Sequence, residues 1–429
     1  MNIVNLNKDS IKDLLTDLLK RSPNNYGEYE GTVNEIIETV RANGDQALFD
    51  YTAKFDHCDI CADTILVTRE EIDEAYRRLD TEFIRVMRAS AENIRCYHEK
   101  QLRTSWFDAK PDGTILGQKI TPVGRAGVYV PGGKAAYPSS VLMNVIPAKV
   151  AGVPEIIMTT PPGKDGRVNP GTLVAADIAG VDKVYKVGGA QAIAALAFGT
   201  QSVPKVDKIT GPGNIFVALA KKAVYGFVSI DSIAGPSEIL VLADETANPR
   251  YVAADLLSQA EHDELASAIL ITTSKELATQ VQKEIDGFVK ELSRSEIINK
   301  SLEQYGYILI ADSMDAAIDA ANAVASEHLE ILTANPFDTM TRIKNAGAIF
   351  LGEYSSEPLG DYYAGPNHIL PTNGTAKFFS PLNVDDFIKK TSIISYSESA
   401  LCKVHKDIEL FAKNEGLTAH ANSIAVRFE

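Results

Sequence analysis

Strand-like and helix-like segments alternate from about residue 117 to residue 351, and this constrains the fold more than any other feature of the chain. Apolar runs over 128–130, 156–160, 184–187 and 208–210 predict strands. The stretches between them predict helices: one starting at Ser139 or Ser140 and running to about 151, then 171–179, 190–199 and 214–225. A second run predicts strands over 238–242, 268–272, 307–311 and 347–351. Asn248 with Pro249 marks a helix start there, as do Ser274 and Ser313, the last helix reaching about 324. Strands alternating with helices of this length imply parallel sheets with helices on their faces. Two such α/β units suit 429 residues, too many for one ordinary core. The chain before about 110 reads mainly as helix, over 26–54 and 69–103, and beyond about 381 as a helical tail, over 384–390 and 398–414.

Composition narrows the function classes. The chain is 45% hydrophobic and 23% charged, with mean hydropathy −0.06, as soluble globular proteins are. A net charge of −15 argues against nonspecific nucleic-acid binding, which needs clustered Lys and Arg. The longest apolar run, 141–153, is broken by Asn144, Pro147 and Lys149 and falls short of the ~20 residues of a membrane span. The N-terminus carries no basic-then-apolar signal pattern, so the cytoplasm is expected. Cys58-Asp-Ile-Cys61, after His57, has the spacing of half a zinc site or of a redox motif. No second ligand pair completes it, and ordinary loop or core cysteines are the simpler reading.

The dinucleotide fingerprint G-x-G-x-x-G is absent. Three glycine loops stand instead at strand ends before helices: Pro131-Gly-Gly133, Gly188-Gly-Ala-Gln191 and Gly211-Pro-Gly-Asn214. Glycine there lets main-chain N–H groups approach an anion that the helix N-terminus also attracts. Each loop alone is an ordinary turn; together, at the carboxyl ends of one sheet, they point to a nucleotide or phosphate ligand.

Five of the seven histidines follow residue 260, four of them beside Asp, Glu, Gln or Asn: His262, His328, His368 and His420. Gln259 and His262 are three apart on the helix expected from Pro249, and Asp361 follows Gly360 in a loop. Ligands of this kind suit Zn²⁺ or a similar cation, although Glu261, Asp263 and His368 are equally available by spacing. Glu327 and His328, placed by pattern at a helix C-terminus, pair a carboxylate with an imidazole, which together can abstract a proton and activate water. His57, His98 and His405 read as surface residues.

Read together, these segments resemble the histidinol dehydrogenases. The resemblance rests on Gly127-Val-Tyr-Val-Pro-Gly-Gly133, Tyr137-Pro-Ser-Ser-Val-Leu-Met-Asn144, Val187-Gly-Gly-Ala-Gln-Ala-Ile193, Gly211-Pro-Gly-Asn214 and Ile233-Ala-Gly-Pro-Ser-Glu-Ile239. It continues through Ser258-Gln-Ala-Glu-His262, Ser326-Glu-His-Leu-Glu330, 360–371 and Leu417-Thr-Ala-His420, from about residue 25 to the end. Ser229 and Pro381 stand where glycine is expected, away from any functional position.

The resemblance implies an α/β fold of two Rossmann-like parallel-sheet domains of variant topology, with small helical N- and C-terminal segments. The implied divisions are 1–25, then 26–131 with 237–381 holding the zinc and substrate site, 132–236 holding NAD, and 382–429 reaching the partner of a homodimer. It implies oxidation of L-histidinol to L-histidine through L-histidinal, the last step of histidine biosynthesis, with two NAD⁺ consumed and one Zn²⁺ per site. Carried over by motif, Gln259, His262, Asp361 and His420 hold zinc, and Tyr129, Gln191 and Asn214 contact NAD. Ser237, His328, His368 and Glu415 join the zinc ligands around substrate, with Glu327 and His328 as acid and base. The rivals are a same-superfamily dehydrogenase of another small alcohol, such as a sulfonated diol, and a zinc hydrolase, which leaves the glycine loops without a purpose.

Overall fold

The computed structural model describes residues 1–21, 27–132 and 137–429. Tyr26 and Gly133, an expected helix start and a glycine of the first loop, lie outside the described residues. The alternation becomes two all-parallel sheets within one unit, residues 1–101 and 123–387. The larger sheet has six strands in the order Asn2–Asn5, Gly306–Ile310, Ser267–Thr272, Glu238–Ala243, His328–Leu332, Ala348–Leu351. The smaller has five: Lys183–Tyr185, Glu155–Thr159, Arg125–Tyr129, Lys208–Thr210, Ser229–Ile230.

Both sheets are covered on both faces, which is why their strands read as continuous apolar runs. In the strand Glu238–Ala243 every residue is buried. Ile239 and Val241 join the core on one face, Leu240 and Leu242 the core on the other. In the smaller sheet Ile157 and Ile209 face one core while Val128 and Met158 face the other. Several helix starts are as the sequence expects. Asn248 accepts from the N–H of Arg250, Ser274 from Leu277, Ser313 from Ala316 and Asn214 from Phe216.

Four expectations are corrected. The helix expected from Ser139 or Ser140 is Pro138–Val150, preceded by Tyr137, with no side-chain cap. Asn2–Asn5 is an edge strand pairing with Gly306–Ile310, not part of a helical segment. Arg125–Tyr129 is the centre of the five-stranded sheet, so a boundary at 131 would separate this strand from its own neighbours. The expected helix over 384–390 is a single turn, Val384–Phe387, followed by the strand Ile388–Ser395, whose consecutive polar residues Lys389, Lys390 and Thr391 hide its period.

The second unit comprises residues 102–122 and 388–429. Its antiparallel sheet runs in the order Ile388–Ser395, Ile115–Pro122, Trp106–Ala109, and it carries helices Glu398–Asn414 and Thr418–Ala425. Ser397 caps the longer helix through the N–H of Ala400. No helix among the described residues is long and apolar enough to cross a membrane.

Candidate active site

The site is built on the amino ends of two neighbouring strands of the larger sheet. Glu238 is the first residue of one strand and His328 the first of the next, His328 lying beside Ile239. Ligands of open α/β sheets usually sit at the carboxyl ends, so this edge departs from the rule. Glu327 and His328 therefore do not end a helix. Helix Met314–Val324 stops at Ala325, in the left-handed region at φ 54°, and the chain enters the strand. The strand was hidden in the sequence by Glu330, a carboxylate that is fully buried yet takes the N–H of Glu357 at 2.8 Å.

The side chains of Glu327 and His328 are both held by the main chain of Glu238. Its N–H donates to Oε2 of Glu327 at 2.9 Å, and its carbonyl accepts from Nδ1 of His328 at 2.9 Å. The second bond places the neutral imidazole's proton on Nδ1 and its lone pair on Nε2. Nε2 is buried, without a hydrogen-bond partner among the described residues, and faces Oδ1 of Asp361 at 3.8 Å. Burial pushes the Glu327 carboxyl up to about 8. Burial also opposes charge on His328, but Glu327 and Asp361 on either side outweigh it and carry its pKa up to about 10. A dication shared with Asp361 would cancel one of those attractions.

Gln259, His262, Asp361, His368 and Ser237 line the same cavity as Glu327 and His328, of about 570 Å³. Gln259 is the penultimate residue of helix Pro249–Ala260, and His262 lies just past the helix end, not on its face. A helix C-terminus carries partial negative charge and favours a cation. Asp361 stands on the short turn Gly360–Ala364, pinned by Ser90 and Asn93, which donate to the carbonyls of Tyr362 and Tyr363. Nδ1 of His368 donates to the Asp361 carbonyl at 3.1 Å, and its Nε2 meets Ser140 Oγ at 3.3 Å. Burial works against the charge of Asp361, yet His328 and His368 hold its pKa down to about 2.

Sequence reasoning missed Glu357. His328, Glu357 and Asp361 offer ligand atoms within 4.8 Å of one another, a group that shares only Asp361 with the implied zinc set. Glu357 is buried, accepts from Ser258 Oγ at 3.1 Å and is pushed up to about 8 by burial and by Asp361. The available signal was a second carboxylate four residues before Asp361. A cation fits this place. Oε1 of Gln259 is a buried acceptor with no donor among the described residues, and Asp361, lining the same cavity, carries the charge.

A second cavity, of about 970 Å³, opens at the carboxyl edge of the smaller sheet and is lined by Tyr129, Gln191 and Asn214. Pro131, Gly132 and Asn214 line both cavities, so the two meet. Gly189, at φ 65°, allows its N–H to donate to the Tyr129 hydroxyl at 3.2 Å; a side chain there would strike Gln191. Gln191 Nε2 is a buried donor without an acceptor among the described residues. With Asn214 capping helix Ile215–Val224 at the rim, this set suits a phosphate-bearing dinucleotide. Glu415 and His420 belong to the second unit, where both are exposed beside an apolar hollow formed by Ile408, Phe411, Leu417 and Ile424.

Residues 19–428 match the family model for histidinol dehydrogenase. The chain is 60% identical to histidinol dehydrogenase of Clostridium acetobutylicum over 412 residues, 96% of this chain and 95% of that one. It is also 60% identical to the Bacillus subtilis enzyme over 93% of each chain. A crystal structure of histidinol dehydrogenase from Elizabethkingia anophelis, 37% identical, superposes with a TM-score of 0.94 over 100% of this chain and 98% of that one. The chain belongs to the histidinol dehydrogenase family.

Proposed function

We propose that this protein oxidises L-histidinol to L-histidine through L-histidinal, in two NAD-dependent steps that close histidine biosynthesis. The observation that carries this reading is the Glu327–His328 pair, suspended from Glu238 in a cavity that opens into one fitted for a dinucleotide.

In the first step Nε2 of His328 takes the alcohol proton as hydride leaves the carbinol carbon. In the second, once His328 has lost that proton to solvent, Glu327 takes a proton from water while the hydroxide adds to the aldehyde carbon. His328 then takes a proton from the hydrate as the second hydride leaves, giving the carboxylate. Each hydride is accepted by a bound NAD⁺. A zinc ion on Gln259, His262 and Asp361 would gather the substrate's imidazole and amine, both good donors to that metal. Ser237 and His368 border the place where the substrate would lie. Tyr129, Gln191 and Asn214 would hold the dinucleotide.

The site is completed, in this reading, by a homodimer. The partner subunit's His420 would supply the fourth zinc ligand and the partner subunit's Glu415 would meet the substrate amine. Ile394, Leu410 and Phe411 of the second unit are 73%, 61% and 69% exposed, an apolar surface that an obligate interface would cover. Such an enzyme is expected in the cytoplasm.

NADH formed per L-histidinol consumed, with excess NAD⁺ and added Zn²⁺, tests the reading. Two per substrate, with histidine as product, are expected. One would withdraw the role of Glu327, and none would direct the search to another small alcohol.

A further inference from the structure

We infer that Arg21 is a positioning residue for the Glu327–His328 pair, acting through Glu238. This deepens the proposed function and rests on it for the identity of the reaction.

Arg21 ends the first helix, Lys8–Lys20, and lies 217 positions before Glu238. Its side chain is fully buried. Nη2 donates to Oε1 of Glu238 at 2.7 Å and Nη1 to the carbonyl of Leu265 at 2.6 Å. The ring of Tyr305 lies 5.1 Å from the guanidinium. Stability alone is a poor reason for such a pair, because desolvation offsets most of the attraction and well-packed apolar residues commonly do as well.

Position is a better reason. The one N–H of Glu238 is given to the Glu327 carboxylate, and its carbonyl holds His328 Nδ1. A shift of this single residue therefore moves base and water-activating carboxylate together. It also releases the bond that keeps the lone pair of His328 on Nε2. Arg21 grips the side chain of the same residue from outside the strand. The grip is itself anchored: the edge strand Asn2–Asn5 pairs with Gly306–Ile310, and Leu14 and Leu18 pack with Leu240 and Leu242 of the Glu238 strand. The N-terminal segment thus delivers one cation to the residue from which the acid and base hang. Catalytic groups held within fractions of an ångström need such support.

The test compares wild type, Arg21→Met and the double variant Arg21→Met/Glu238→Met, which leaves no unpaired charge. Thermal stability, kcat and KM for L-histidinol and for L-histidinal, and the side-chain Nδ1–H signal of ¹⁵N-labelled His328 are measured, the signal being identified by its loss in His328→Asn. If Arg21 positions the pair, Arg21→Met loses stability and the double variant regains it. In the double variant kcat stays down by ~10-fold or more, KM moves less than about threefold, and the Nδ1–H signal is lost or shifted. Recovery of kcat together with stability, or an unchanged signal, overturns the inference and leaves the pair a folding element. Should Arg21→Met not fold, the double variant carries the test alone. The signal also separates the two readings: wild type inactive on L-histidinol, with a signal that the double variant loses, removes the proposed reaction and keeps the positioning.

Discussion

Nδ1 of His328 donates to the carbonyl of Glu238 at 2.9 Å, and this bond decides which nitrogen of the imidazole is free to act. Nε2 is left buried, unpartnered and facing the cavity that Asp361 also lines. His328→Asn should therefore slow alcohol and aldehyde oxidation alike, by ~10²–10⁴-fold, the usual worth of a general base. Single-turnover rates with L-histidinol and with L-histidinal check this, and a near-native rate in either step rejects the assignment.

Glu327→Gln keeps an acceptor for the N–H of Glu238 and should fold normally. It should slow the aldehyde step more than the alcohol step, since only the former needs activated water. The sign of the pH dependence follows from burial. With its pKa raised to about 8, Glu327 becomes a carboxylate only as pH rises, so the aldehyde step should accelerate through about pH 8. A pH profile on L-histidinal should show this limb in the wild type and lose it in Glu327→Gln.

Glu357 supports Asp361, and partners of metal ligands typically contribute 10–100-fold in metal affinity. Glu357→Gln should weaken Zn²⁺ binding by about that factor in competition with a chelator. Its pKa also sets a stability effect. Raised to about 8 when folded from 4.5, the group binds its proton more tightly in the native state. Its contribution is thus favourable below about pH 4.5 and is lost as pH climbs through about 8. Thermal midpoints of metal-free protein should fall less over that window in Glu357→Gln than in the wild type.

Gln191 presents a buried donor with no acceptor among the described residues. If NAD supplies the acceptor, Gln191→Leu should raise KM for NAD⁺ by roughly fivefold to tenfold, the loss of about 1 kcal/mol, and leave KM for L-histidinol unchanged. Equal KM values for NAD⁺ in the two proteins would remove Gln191 from the dinucleotide site.

A site shared between subunits makes a sharper demand. His420→Asn and Gln259→Asn should each lose metal and activity when purified alone. After confirmed subunit exchange, a mixture should regain part of the activity, because each heterodimer rebuilds one intact site. No recovery would place the whole site within one chain.

The strand and helix alternation and the caps at Asn248, Ser274 and Ser313 were legible in the chain itself. Each is a local matter of period, turn chemistry or motif. The strand that begins at His328 was not legible, because buried Glu330 breaks its apolar run and accepts from Glu357, 27 positions away. Glu357 itself escaped notice for the same reason: an acid after two serines looks like surface until Ser258 and Asp361 close around it. Arg21 carries no motif at all, and its partner lies 217 residues downstream. Pattern along a chain records what neighbours dictate, namely secondary structure and reactive residue types. Which of the two nitrogens of His328 is free, and what holds the pair still, depend on distant main-chain atoms that only the folded sheet brings together.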